Sequence, residues 1–120
     1  MIQADIEKIE SRLGVELPAE YRDFVINYPA DLDEDIRAHD IYADADAVIE
    51  ATEELRKGDN PDLKWPKHYV IIGDSGSGDY YYIHTQNNSA AIYWWNQTAD
   101  ELEEVAQSID DWYQDIIATM

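Results

Sequence analysis

The chain has 120 residues, 45% of them apolar, with 27 Asp and Glu against 8 Lys and Arg and a formal net charge of -19. That length suits one domain, residues 1–120, burying roughly two-thirds of its unfolded surface, and the apolar content excludes a disordered chain. The absence of Cys excludes disulfides, thiolate metal sites and a Cys nucleophile, and the negative field works against nucleic acid and anionic lipid.

No stretch approaches the about 18 to 20 apolar residues that span a bilayer, and the acidic N-terminus lacks the basic start of a signal peptide. A cytoplasmic protein is expected. The charge has two readings. It serves solubility, including adaptation to a salty cytoplasm, or it matches a basic protein partner such as a nuclease.

In chain order, Ile2, Ile6, Ile9 and Leu13 recur at helical spacing, and Gly14 offers a left-handed cap on which Val15 packs back. Pro18 suits the first turn of a second helix, with Leu17, Tyr21, Phe24, Val25 and Tyr28 on one face and Pro29 as its stop. Residues 30–43 are acidic and aperiodic, with a short strand expected at Ile41 and Tyr42. A third helix spans 44–57, capped by Asp44 or Asp46, with Val48, Ile49 and Leu55 as its apolar side. "GDNPDLKWP" reads as a loop anchored by Trp65.

Three strands follow, "HYVIIG", "YYYIHT" and "AAIYWWN", joined by "DSGSGD" and "QNNS". Gly76 and Gly78 suit a hairpin connection, and Asp74 and Asp79 read as its solvated shoulders. Both faces of the second and third strands are apolar. Either helices cover part of both faces, or one aromatic face is open to a partner. Capping-box spacing occurs at Thr98–Glu101 and at Ser108–Asp111. It predicts a short turn or helix, then a terminal helix from about Ser108. The whole reads as α+β, a mainly antiparallel meander packed with N- and C-terminal helices.

The chemistry signals are weak. "GDSG" suggests a nucleophile at Ser75, with His39, His68 or His84 as base. The second Gly of the elbow motif is misplaced, however, and a strand rather than a helix follows. Phosphate-loop patterns are missing, and Asp74 and Asp79 would repel phosphate. Asp31, Asp33 and Asp35 match the opening of a calcium loop, but Ile36 stands where Gly is needed and Tyr42 where Glu is needed. The histidines are isolated, without zinc spacing. No cofactor, metal or catalytic residue is expected.

Several segments in order resemble the SUKH superfamily, the SMI1/KNR4-like group. They are "LPAEYRDFV", Trp65-Pro66, "YVIIGDSGSGDYYYI", "AIYWW" and "EVAQSIDDWYQDI". The chain departs from the family's usual pattern at Asn27-Tyr28-Pro29 and at Asn96-Gln97. The resemblance implies a non-catalytic α+β domain, and many bacterial members look like immunity proteins that neutralise a toxin, often a nuclease or deaminase. The expected partner is therefore a toxin domain, with this chain a monomer or weak dimer. Its candidate contacts are the acids Asp31, Asp33, Glu34, Asp35, Asp74 and Asp79 and the aromatics Tyr81, Trp94 and Trp95, if exposed. The alternative is an interaction or scaffold module whose acid serves solubility, with no toxin partner.

Overall fold

The computed structural model describes residues 1–29, 39–57, 65–75, 79–86, 91–96 and 101–118. In order these form α1 (Gln3–Leu13), α2 (Ala19–Ile26), α3 (Ala45–Lys57), β1 (Tyr69–Asp74), β2 (Asp79–His84), β3 (Ile92–Asn96), β4 (Glu101–Ala106) and α4 (Ile109–Ala118). This is the α+β arrangement expected of the sequence. No helix among the described residues is long and apolar enough to cross a membrane.

The helix stripes form as their spacing requires. Ile6, Ile9 and Leu13 of α1 are buried, whereas Ile2 precedes the helix and stays exposed. Gly14 takes φ 68°, and the N–H groups of Gly14 and Val15 both return to the Glu10 carbonyl. That left-handed residue closes the helix end at little steric cost because it has no Cβ. Glu10 then accepts the Leu17 N–H at 2.8 Å, which steers the chain into α2. Tyr21 and Val25 of α2 are buried, and Phe24 meets Tyr113 of α4 edge-on at 5.6 Å. Asp44 caps α3 by accepting the Asp46 N–H at 3.1 Å. Val48, Ile49, Thr52 and Leu55 are its buried side, packed on α1 and β1.

The sheet runs β1-β2-β3-β4 with every neighbouring pair antiparallel. Alternation puts Ile71, Tyr82 and Tyr93 on one face and Val70, Ile83 and Ile92 on the other. Both faces are partly covered. Trp65 packs on the first, against Tyr69, Tyr82 and Trp95 at 5.2–5.6 Å, and donates its indole N–H to the Tyr69 carbonyl. On the second, Trp112 of α4 lies 5.2 Å from Tyr81.

Two expectations are corrected. Glu101–Ala106 is a strand, not a turn or helix: it pairs with β3 from Asn96↔Glu101 to Ile92↔Ala106. The unpaired edge of β3 outweighs the local capping signal, as tertiary pairing often does for acidic stretches of low β propensity. Ile41 and Tyr42 form no strand. Tyr42 makes a single strand-like bond, donating its N–H to the Ile72 carbonyl at 2.9 Å. The terminal helix does start after Ser108, whose hydroxyl accepts the Asp111 N–H at 3.1 Å.

Candidate functional site

Of the candidate contact residues, Asp31, Asp33, Glu34 and Asp35 lie outside the described residues. Asp79, Tyr81 and Trp94 come together on one face of the sheet. Asp79 and Tyr81 alternate along β2, and Tyr81 pairs with Trp94, which pairs with Glu103 of β4. Trp95 points the other way. It is 2% exposed, packed between Trp65 and Tyr80, so it is a core side chain and not an accessible anchor.

Asp74 is not the solvated shoulder expected of it. Its side chain is 19% exposed; it accepts the Tyr42 O–H at 2.6 Å and sits 3.1 Å from His39 Nδ1. The cause is a close crossing over β1. A Cβ on Gly73 would stand 2.0 Å from the Asp40 carbonyl oxygen, so only glycine admits residues 39–42 there. The crossing brings Asp40 towards Tyr81. Burial, then Asp40, Asp79 and Asp74, all push the Tyr81 phenol above its ordinary pKa. The negative potential at this end of the sheet is therefore felt at a specific ring.

Beside it, Tyr81, Val105, Trp112, Asp115 and Ile116 line a groove of 250 Å³ between β4 and α4. Ligand sites for small molecules usually run from roughly 300 to 1,000 Å³, so the groove suits a single side chain better than a cofactor. Asp115 in its lining is exposed, as are Asp111 one turn before it on α4 and Glu103 on β4. Val105 and Ile117 are each 37% exposed beside them. β4 is an edge of the sheet. The opposite edge, β1, is closed by Thr52, whose hydroxyl accepts the Ile71 N–H at 2.9 Å, and by Tyr42.

The basic residues are unevenly spread along the chain. All eight Lys and Arg lie at or before residue 67, and residues 68–120 carry nine Asp and Glu with none to offset them. The charge is thus divided along the chain. The ion pairs Lys8–Asp46 and Arg12–Glu53 join α1 to α3, while β4 and α4 contribute acids alone.

The histidines are less isolated than the sequence suggests. The pairing of Tyr69 with His84 brings His68 within 5.9 Å of His84. Tyr69, His84 and Tyr93 stack at 4.2 Å spacing with rings 3° and 8° from parallel. Burial, then His68, lowers the His84 pKa. Among the described residues there is no group of three or more side chains able to hold a metal ion. Near Ser75 the geometry serves the hairpin: its N–H donates to the Asp79 carbonyl at 3.0 Å, and the His39–Asp74 pair fastens the crossing segment from an imidazole 54% exposed.

No curated protein and no solved structure matches the chain. A family model described as the SMI1 / KNR4 family (SUKH-1) matches residues 3–115. With an α+β fold and nearly the whole chain matched, this protein belongs to the SMI1/KNR4 family (SUKH-1).

Proposed function

We propose that this protein is an immunity protein that binds a toxin domain, a basic one such as a nuclease, and neutralises it by occupation rather than by catalysis. The observation that carries the reading is the charge: family membership joined to a net -19, with nine Asp and Glu and no Lys or Arg in residues 68–120. A field of one sign accelerates encounter with an oppositely charged partner and resists wrong ones, and salt weakens that effect. Occupation needs no cofactor and no activated side chain, which agrees with the surface setting of Ser75 and His39.

The test begins with the polypeptide encoded beside this gene. Purified together, the two should form an equimolar complex, and the toxic activity should vanish on addition of this protein. A neighbour that is not toxic, or that is toxic but neither bound nor inhibited, overturns the proposal.

A further inference from the structure

We infer that the groove between β4 and α4 is the docking surface, and that it takes a basic segment of the partner: one apolar side chain in the groove, flanked by Lys or Arg. The partner's identity as a toxin rests on the function proposed above; the surface itself is argued from geometry and charge. The floor is apolar and preformed. Trp112 is 4% exposed and held against Tyr81, so it offers a fixed ring rather than a mobile one. Val105 and Ile116 supply the walls. A volume of 250 Å³ admits a side chain.

The rim dictates the sign of the partner. Asp111 and Asp115 stand one turn apart on α4, and Glu103 lies in the strand row of Tyr81 and Trp94. β3, β4 and α4 themselves carry no Lys or Arg. An acidic partner would meet like charge at Glu103, Asp111 and Asp115, and a second copy of this chain would do the same. A basic segment fits both parts: its apolar side chain leaves water at the centre and its cations pair at the edge, the usual division between the core and the rim of an interface. Glu103 and Glu104, exposed on β4 at the end of the strand order, also discourage pairing with other copies. That role requires the charge but not the groove, so the two are separable by experiment.

The probe is the peptide acetyl-Lys-Leu-Lys-Leu-Lys-amide, titrated into isotope-labelled protein and followed by amide chemical shifts, with acetyl-Lys-Ser-Lys-Ser-Lys-amide as the charge-matched control. The leucine peptide should give saturable shifts centred on Trp94, Glu103, Val105, Trp112 and Asp115. The serine peptide should bind at least about tenfold more weakly, as should the leucine peptide to a Val105→Lys, Asp115→Lys double variant. Both sites are solvent-accessible, and far-UV circular dichroism checks that the variant is folded. Equal binding of the two peptides, shifts spread over the acids of α1 and α3, or an unaffected double variant would overturn the inference. So would shifts that depend on protein concentration without peptide, which mark a second copy as the occupant. With the neighbouring toxin in hand the two proposals part. If it binds wild type and double variant equally, the surface is wrong and the toxin reading stands. If it binds neither, the toxin reading falls and the peptide titration still decides the surface.

Discussion

Replacing Gly73 with Ala tests how the acidic end of the sheet is built. The added Cβ would stand 2.0 Å from the Asp40 carbonyl oxygen, 2.8 Å from its carbon and 2.9 Å from the His39 oxygen. All three are backbone atoms, and carbon–oxygen contacts settle at roughly 3.3 Å or more, so residues 39–42 must retreat by more than an ångström. Overpacking of this kind costs about 1–3 kcal/mol. Retreat also strains the Tyr42 N–H bond to Ile72 and the Tyr42 O–H bond to Asp74, which together contribute about another 1–2 kcal/mol. The expected loss is about 2–5 kcal/mol, or about 8–20 °C in Tm for a chain of this size. Urea titration followed by tryptophan fluorescence measures it. Gly14→Ala is the comparison: Gly14 has φ 68° with nothing within 4 Å, so it carries only the left-handed penalty, about 1 kcal/mol. If Gly73→Ala costs no more than Gly14→Ala, the close crossing is wrong, and with it the placement of Asp40 beside Tyr81.

Other outcomes follow from single contacts. Thr52 is fully buried and accepts the Ile71 N–H, so Thr52→Val should cost about 1–3 kcal/mol by orphaning that donor, while Thr52→Ser keeps the bond and costs less; equal losses in urea titration would contradict this. The His84 pKa is lowered from 6.5, so the unfolded chain takes the proton more readily than the folded one. Its contribution is therefore whole above about pH 7.5 and declines as pH falls through 6.5 towards the folded value, and His84→Phe should flatten that slope; an unchanged slope counts against the stacked site. At the other end of the scale, burial raises the phenols of Tyr21, Tyr42 and Tyr82. The unfolded chain then releases protons first, and stability should fall above about pH 10. With a net charge of -19, self-repulsion opposes folding, so raising NaCl from about 0.05 to 0.5 M should raise Tm; a fall would mean that attractive ion pairs dominate.

Much of the architecture is local and therefore legible. The spacing of Ile6, Ile9 and Leu13 with Gly14 behind them, the Asp44 cap and the Ser108 cap each mark a helix without reference to anything distant. What was not legible depends on long-range neighbours. β4 reads as an acidic, weakly patterned stretch until β3 offers it an edge. Alternation alone puts Trp94 and Trp95 on opposite faces, but which face is sealed depends on Trp65, a loop residue remote in sequence. The crossing at Gly73 likewise has no local signature, since an internal glycine in a strand reads as a bend or a bulge. It is a bulge, between Ile71 and Gly73, and a passage for another segment as well. The candidate contacts divided by the same logic. Asp79, Tyr81 and Trp94 share a face because strand register is readable, whereas Val105, Trp112 and Asp115 joined them only once β4 and α4 were in place.

The most direct test of the toxin-binding reading is stopped-flow association between this protein and the product of the neighbouring gene, measured across about 0.05–0.5 M NaCl alongside an assay of toxic activity. Binding should abolish the activity, and the association rate should fall steeply with salt while dissociation changes little. An association rate indifferent to salt would leave the acidic surface without a role in recognition, and full toxic activity at saturating protein would contradict the proposed function itself.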